Sequence, residues 1–352
     1  MAGIVSFGAY LPRLRLERMG IMMSMGWFAP GLITAAQGER TMCNYDEDSL
    51  TMACEAAADC LTGFDPASVG GVFFASTTPP YAEKSASSLI ATVLDLPAEV
   101  FTGDFAVSLR ASTAALGAAL DAARSGKADN LLVTAGEART ADPMTAWEQT
   151  LGDGAGAVLV GSGDGVIAEH LGSYSAPDEI YMTWRRQSRD RALKEFNARM
   201  AQTEGYGKSM VEGIRSAMER LGVKSDDVAR AVYSAPDFRS HGAVAKALGL
   251  DPATQVQDAL FAFVGGTGTA QPLLMLAGAL ESGLKAGDLI LLANYGDGVD
   301  VSVFRVTEAV DKLPPRRGLR GYLSSRAPLD SYPVFLRYRE ALDMRKPEYS
   351  SS

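Results

Sequence analysis

The feature that most constrains this chain is an internal repeat. The segment DPASVGGVFFAS, which begins at Asp65, has the same character as KSDDVARAVYSA, which begins 159 residues later at Lys224. Each leaves a helix through a polar turn and enters a short apolar strand. A second pair, KADNLLVTAG from Lys127 and KAGDLILLAN from Lys285, has an offset of 158 residues. Two matches at nearly the same offset indicate a duplicated chain built from two similar structural units.

Each half alternates helices with short apolar strands. The pattern predicts helices over 48–61, 108–124, 207–221 and 269–282, and strands over 72–75, 131–135, 155–160, 231–234, 289–294 and 301–306. Short, fully apolar strands between helices are typical of a buried, largely parallel sheet. The helices over 108–124 and 269–282 consist mainly of small residues, which favours a position between two sheets. The sequence therefore predicts an α/β fold with two duplicated halves in five layers, α-β-α-β-α.

Composition limits the partners and the compartment. The net charge of -9 argues against nucleic acid, because phosphates would be repelled. Three cysteines, all in the first fifth of the chain, favour a reducing cytoplasm over a disulfide framework: Cys43, Cys54 and Cys60. The two histidines are isolated, so we expect no metal site. Glycines and a proline interrupt the uncharged stretch over 19–37, so we expect neither an export signal nor a membrane span there.

Several motifs carry a family resemblance. The sequence GDGAGAVLVG from Gly152 is similar to the glycine-rich strand entry of ketoacyl synthase III enzymes. Three further segments resemble bacterial and archaeal HMG-CoA synthases: GIVSFGAYLPR from Gly3, the acidic triplet Asp46-Glu47-Asp48, and the pair Ser331-Tyr332. From about residue 3 to 345 the chain thus resembles this branch of the thiolase superfamily. The resemblance implies the thiolase fold and chemistry on acyl-CoA.

The resemblance also implies that four catalytic positions are occupied by other residues. Family members carry an acyl-accepting cysteine in the stretch Asp-x-x-x-x-Cys-Lys-Ala-Gly-Thr-Ala-Ala, and the gapless match from Asp104 places Leu109 there. Thr77 stands at the general-base position, Ser234 at the histidine and Gly266 at the asparagine of a glycine-rich loop. Members of such a unit act together, so their joint replacement predicts lost catalysis.

Other residues leave alternatives open. Ser108 could be a substitute nucleophile, but one residue rotates a helix by roughly 100°, and a helix N-cap is the plainer role. His241 could replace the base or simply lie near the surface at a helix start. Tyr295 could transfer protons in a cysteine-independent aldolase, or it could be a packed ring in a turn.

Two basic segments could bind partners or ligands. Arg185, Arg186 and Arg189, with Arg191 and Lys194, could contact the phosphates of CoA or form a solvated helix face. The basic stretch over 312–346 contains aromatic residues and could be a docking surface or a solvated tail: Tyr322, Tyr332, Phe335 and Tyr338.

Together these observations predict a domain order and a function. We expect an N-terminal half over 1–165, a cap or linker over 166–206, a C-terminal half over 207–310 and a docking segment over 311–352. The expected function is a non-catalytic subunit, a pseudoenzyme, in a thiolase or acyltransferase complex acting on acyl-CoA C–C bonds. An aldolase-type enzyme on CoA thioesters and an acyl-CoA-binding module remain alternatives. The resemblance implies a thiolase-fold partner or a homodimer, and an OB-fold/zinc-ribbon protein. We expect no tightly bound cofactor, although a CoA thioester is a possible ligand.

Overall fold

The computed structural model describes residues 1–186, 193–195 and 197–341. Strands and helices alternate through the first half of the chain, with these bounds: β1 (Ala2–Tyr10), β2 (Leu14–Glu17), α1 (Arg18–Met25), β3 (Glu39–Met42), α2 (Ser49–Cys60), β4 (Gly71–Ser76), α3 (Ala86–Val93), β5 (Phe101–Ala106), α4 (Ala111–Arg124), β6 (Asn130–Ala138), α5 (Ala146–Thr150) and β7 (Asp153–Ser162).

The second half repeats this order and adds a terminal segment. Its elements are β8 (Ala168–Pro177), α6 (Ala198–Met200), α7 (Lys208–Leu221), β9 (Val228–Tyr233), α8 (Phe238–Leu248), α9 (Gln271–Leu280), β10 (Leu289–Tyr295), β11 (Gly298–Val306), α10 (Gly318–Ser324), β12 (Ala327–Pro328) and α11 (Tyr332–Tyr338). A π-helical stretch, Ala201–Gly207, leads into α7. Every helix and strand predicted from the repeat is present, with ends shifted by a few residues.

Nine strands form one sheet in the order β5-β4-β6-β7-β1-β8-β11-β10-β9. The halves meet where β1 pairs with β8, through Gly3 opposite Glu169 and Ile4 opposite Ala168. The prediction of a largely parallel sheet is wrong. Strand β4 is parallel to β5 and β6, and β9 to β10, whereas the pairs β6–β7, β7–β1, β10–β11 and β11–β8 are antiparallel. For β10 and β11 the reason is local, because no crossover helix separates them and the chain returns as a hairpin.

The small-residue helices lie between the two halves of the sheet, which confirms the five-layer thiolase fold. Helix α9 contacts β1 and β7 of the first half and β9 and β10 of the second. Helix α4 contacts α9, β4 and β6, while α2 and α7 cover the outer faces. This close packing requires glycine. A Cβ on Gly156 of β7 would lie 2.9 Å from the backbone N of Leu274, and one on Gly8 of β1 would lie 2.2 Å from the carbonyl oxygen of Ala56.

The described part of the terminal segment packs onto the chain's own core, so three of the aromatic residues predicted to lie on a docking surface are buried, while docking by the rest of the segment stays a prediction. Strands β2, β3 and β12 form a separate three-stranded sheet. Beside it, Tyr332 and Phe335 are buried in a cluster with Leu16, Ile21 and Met42. Tyr322 is also buried. Their rings fill apolar space inside the chain, so these three aromatic residues do not form an external docking surface. Residues 342–352 lie outside the described residues.

Two further expectations differ from the structure. Helix α4 begins at Ala111, and its N-cap position is Arg110, so Ser108 is not the N-cap. Instead, its hydroxyl donates a 2.9 Å hydrogen bond to the carbonyl of Gly296. His241 is buried rather than near the surface, with its ring 4.3 Å from that of Tyr233. Within the described residues, no helix combines the length and the apolar character needed to cross a membrane.

Candidate functional site

A sharp turn between β5 and α4 builds the centre of the candidate site. Val107, at the start of this turn, has a φ of 68°, a left-handed conformation that strains a β-branched residue. The turn brings Leu109 against Gly296, at the end of β10. A Cβ on Gly296 would lie 2.8 Å from the Cβ of Leu109 and 2.7 Å from the backbone N of Arg110. Only glycine therefore allows β10 to approach the turn this closely.

Leu109 lines a cavity of about 60 Å³ between the two halves. Three of the four positions predicted to form the site meet there: Leu109, Ser234 and Gly266. Tyr295 also lines the cavity. At roughly 10–15 Å³ per water, it holds only a few water molecules. The other lining residues are Arg139, Trp147, Thr150, Leu151, Met182, Thr183, Tyr206, Ala235, Pro236, Gly268, Gln271 and Asn294.

A chain of hydrogen bonds connects Ser234 to Leu109. The Ser234 hydroxyl donates to Oδ1 of Asn294 at 2.5 Å, and Nδ2 of Asn294 donates to the carbonyl of Leu109 at 2.8 Å. Asn294 is 1% exposed, so both bonds lie in the interior. The Ser234 hydrogen is therefore committed to an acceptor inside the protein.

The two tyrosines of the cavity also donate to backbone carbonyls. The hydroxyl of Tyr295 donates to Ile180, and that of Tyr206 donates to Ser234 at 2.9 Å. Their rings meet edge to face at 5.7 Å. Burial raises the pKa of both phenols, so each keeps its proton at neutral pH.

Thr77 does not line this cavity, which differs from the predicted grouping. Thr77 is hydrogen-bonded to Glu137, a buried glutamate at the end of β6 that sequence reasoning missed. The backbone N and hydroxyl of Thr77 donate to the Glu137 carboxylate at 2.7 and 3.0 Å, and the Thr78 hydroxyl donates to it at 2.9 Å. A carboxylate directly after an apolar strand was the signal that could have identified Glu137.

The backbone of Gly266 is also engaged within the protein. Its N donates to the carbonyl of Thr150 at 2.8 Å, and its carbonyl accepts from the N of Gly152 at 3.1 Å. Two other residues that sequence reasoning missed, Arg139 and Gln271, line the cavity. Gln271 is 3% exposed and donates to the carbonyl of Ala259 at 3.0 Å.

The predicted CoA-contacting arginines are only partly within the described residues. Nη2 of Arg185 donates to the carbonyl of Thr77 at 3.3 Å. The Arg186 guanidinium lies 5.9 Å from the centre of the Trp184 ring. Arg189, and Arg191 beside it, lie outside the described residues. Contact of this cluster with CoA stays a prediction.

The thiols and imidazoles of the described residues lie away from the cavity. Burial raises the pKa of Cys43 and of Cys60 to about 12, and that of Cys54 to about 11, so all three remain protonated thiols at neutral pH. Burial lowers the pKa of both histidines to about 4, which keeps His170 and His241 neutral. None of the five lines the cavity.

Solved structures share the fold. The 3-oxoacyl-[acyl-carrier-protein] synthase III of Aquifex aeolicus superimposes with a TM-score of 0.77 at 23% identity, over 87% of this chain and 100% of that one. The enzyme of the same name from Pseudomonas aeruginosa also gives 0.77, at 22% identity, over 87% of this chain and 98% of its own.

Sequence comparison identifies the family. Residues 218–306 match the family described as 3-Oxoacyl-[acyl-carrier-protein (ACP)] synthase III C terminal. The hydroxymethylglutaryl-CoA synthase of Methanosarcina acetivorans is 30% identical over 340 residues, which cover 96% of this chain and 95% of that protein. That of Caldivirga maquilingensis is 30% identical over 352 residues, which cover 97% of this chain and 98% of that protein. This chain belongs to the hydroxymethylglutaryl-CoA synthase family of the thiolase superfamily.

Proposed function

We propose that this chain is a non-catalytic, HMG-CoA synthase-like subunit of a complex that forms or cleaves C–C bonds in acyl-CoA substrates. Its relatives are named hydroxymethylglutaryl-CoA synthases, which supports acyl-CoA condensation as the chemical context. We infer the absence of catalysis by this chain from the residues of the cavity.

The observation that carries the proposal is Leu109 at the turn before α4. In the family resemblance this is the place of the acyl-accepting thiol, and a helix N-terminus there would favour a thiolate. A leucine side chain has no lone pair with which to attack a thioester. The proposal therefore assigns no acyl-enzyme step to this chain.

Four of the hydroxyls that line the cavity support the same assignment. Ser234 donates to Asn294, Tyr206 to Ser234, Tyr295 to Ile180, and Thr150 to the carbonyl of Ala146 at 3.0 Å. A nucleophilic hydroxyl needs a base that accepts its proton, and these four donate to amide oxygens, which are poor bases. The cavity of about 60 Å³ is also far below the roughly 300–1,000 Å³ of common ligand pockets.

A function in a complex requires a surface for the partner. Large apolar side chains of the segment around α1 are exposed: Met23 by 78%, Trp27 by 82% and Phe28 by 63%. Aromatic and methionine residues are enriched at protein interfaces. This surface supports the proposal of a thiolase-fold partner, a second copy of the chain, or an OB-fold/zinc-ribbon protein.

Co-expression tests the proposal. The chain is produced together with candidate thiolase-fold and OB-fold/zinc-ribbon proteins, and the mixture is analysed by size-exclusion chromatography and an acyl-CoA condensation assay. We expect a stable complex whose activity depends on a catalytic cysteine in the partner. Condensation by the isolated chain, with no partner bound, would overturn the proposal.

The alternative of a cysteine-independent aldolase depends on Tyr295. Its phenol lines the cavity, but it donates to Ile180, and its raised pKa keeps it protonated at neutral pH, so no phenolate is available to accept a proton. If the isolated chain showed aldolase activity on a CoA thioester, and Tyr295→Phe abolished it while the fold was kept, this alternative would replace our proposal.

A further inference from the structure

A second cavity lies beside the site, between β3, α5 and α11. Its volume is about 300 Å³, five times that of the cavity at Leu109. Three arginines line it: Arg40, Arg139 and Arg339. Arg139 also lines the cavity at Leu109, so the two spaces share one wall. The family resemblance assigns no function to this second cavity.

The arginines are buried, which is costly for a charged group without a counter-charge. Arg40 is 2% exposed and Arg139 is 7% exposed, and the side chain of Arg339 is 10% exposed. The Arg40 guanidinium lies 4.8 Å from the centre of the Phe335 ring. Its Nη1 donates to the carbonyl of Glu148, but its Nη2 has no hydrogen-bond acceptor among the described residues.

Among the described residues, the buried acids around Arg40 and Arg139 are already engaged by other groups. Asp153 is shared, because it forms an ion pair with Arg339 and lies 4.0 Å from Nη2 of Arg40. Glu148 already accepts hydrogen bonds on both oxygens, from the Tyr332 hydroxyl at 2.8 Å and the N of Met144 at 2.9 Å. Burial raises the pKa of Glu148, which disfavours its charged form.

The remaining acids around this cavity lie at its edge or behind it. Asp142 and Glu340 line the cavity but are exposed to solvent, where their field is screened. Glu137 lies near Arg139 and already accepts three hydrogen bonds from Thr77 and Thr78. Burial lowers the pKa of Arg40 to about 10, and burial together with repulsion from Arg40 lowers that of Arg339 to about 10. The floor of the cavity is therefore cationic, and its rim is acidic.

We propose that this cavity is a binding site for a small anionic molecule that bears a phosphate or carboxylate group. A guanidinium matches both groups, because its parallel N–H bonds can reach two oxygens of one anion. The volume exceeds that of a bare oxyanion and reaches the lower range of small-molecule pockets. An anion at Nη2 of Arg40 would supply the hydrogen-bond acceptor that this nitrogen lacks among the described residues.

Calorimetric titration of the full chain tests this site, with inorganic phosphate and malonate as separate probes at constant ionic strength. We expect at least one probe to bind with one-to-one stoichiometry and to raise the melting temperature. If only phosphate binds, the ligand carries a phosphate group. If only malonate binds, it carries a carboxylate. If both bind, the site accepts either group. No heat with either probe at millimolar concentration would overturn the proposal.

Matched variants locate the binding. Arg139→Met should raise the dissociation constant about tenfold or more, the loss of roughly one charge-assisted interaction. Arg305→Met is the control, because Arg305 is 52% exposed in an ion pair on β11. Arg40→Met is the second test variant, and circular dichroism checks that each variant folds. Equal affinity of the wild type and of a folded Arg139 or Arg40 variant would contradict the assignment.

Discussion

The side-chain amide of Asn294 donates a 2.8 Å hydrogen bond to the backbone carbonyl of Leu109. The bond joins the end of β10, in the second half, to the turn before α4, in the first. The turn that the family resemblance associates with acyl transfer is thus held by the other half of the duplication.

Replacing Asn294 should destabilise the protein more than replacing its neighbour Ser234. Asn294→Ala removes the donor to Leu109 and the acceptor of the Ser234 hydroxyl, leaving two buried polar groups unpaired. We expect a loss of about 2–4 kcal/mol in the free energy of unfolding, against about 1 kcal/mol for Ser234→Ala. Urea denaturation measures both. Equal losses would show that the bond to Leu109 contributes nothing.

The turn should still activate a thiol. In Leu109→Cys, the new side chain would lie at the N-terminus of α4, where the helix dipole lowers a thiol pKa. We expect native-state iodoacetamide to modify this variant once. The wild type should remain unmodified, because its three cysteines are buried. Leu109→Ser is the control. Mass spectrometry that finds the introduced thiol as inert as the native cysteines would contradict the assigned geometry.

An ion pair across the two halves should contribute measurably to stability. Arg110 and Asp300 lie 2.8 Å apart with side chains 22% and 13% exposed, and Asp300 also accepts from Ser175 and Thr113. We expect Asp300→Asn to lower the free energy of unfolding by about 1–3 kcal/mol. The matched control is Glu169→Gln, which breaks an exposed pair and should change it by less than about 0.5 kcal/mol. Thermal unfolding compares the two, and equal effects would disprove the prediction.

His241 should make stability depend on pH. Burial lowers its pKa from 6.5 to about 4, so the unfolded chain binds more protons than the folded chain between these values. Stability is therefore complete above pH 6.5 and falls as the pH drops towards 4. We expect His241→Phe to reduce the difference in unfolding free energy between pH 7 and pH 5 by about 2 kcal/mol. An unchanged pH profile in urea titrations would show that His241 is not buried as described.

The repeat predicted the two halves and their central helices because it is a local pattern. Small residues one helical turn apart, such as Ala115 and Ala119, are visible in the sequence, and the structure buries both completely. The direction of the strands was not accessible in the same way. For neighbouring strands it depends on whether a crossover helix separates them. A turn was expected at Gly296–Asp297, but we did not conclude from it that the two flanking strands pair antiparallel.

The candidate site was only partly predictable. Leu109, Ser234 and Gly266 could be grouped because each follows a family motif, and the structure brings them to one cavity. Glu137 and Arg139 were missed because their importance arises from burial by segments far away in sequence. The aromatic residues near the C-terminus were interpreted as exposed for the same reason. Tyr332 is covered by Leu16, Ile21 and Met42, and its hydroxyl donates to Glu148, 184 residues earlier in the chain.

We propose that this member of the hydroxymethylglutaryl-CoA synthase family forms no acyl-enzyme. Intact-protein mass spectrometry after incubation with acetyl-CoA measures this directly, with a catalytic family member as the positive control. We predict an unchanged mass for the wild-type chain, because Leu109 occupies the turn and the native thiols are buried. A mass increase of one acetyl group, located by peptide mapping to a residue of the cavity, would contradict the account.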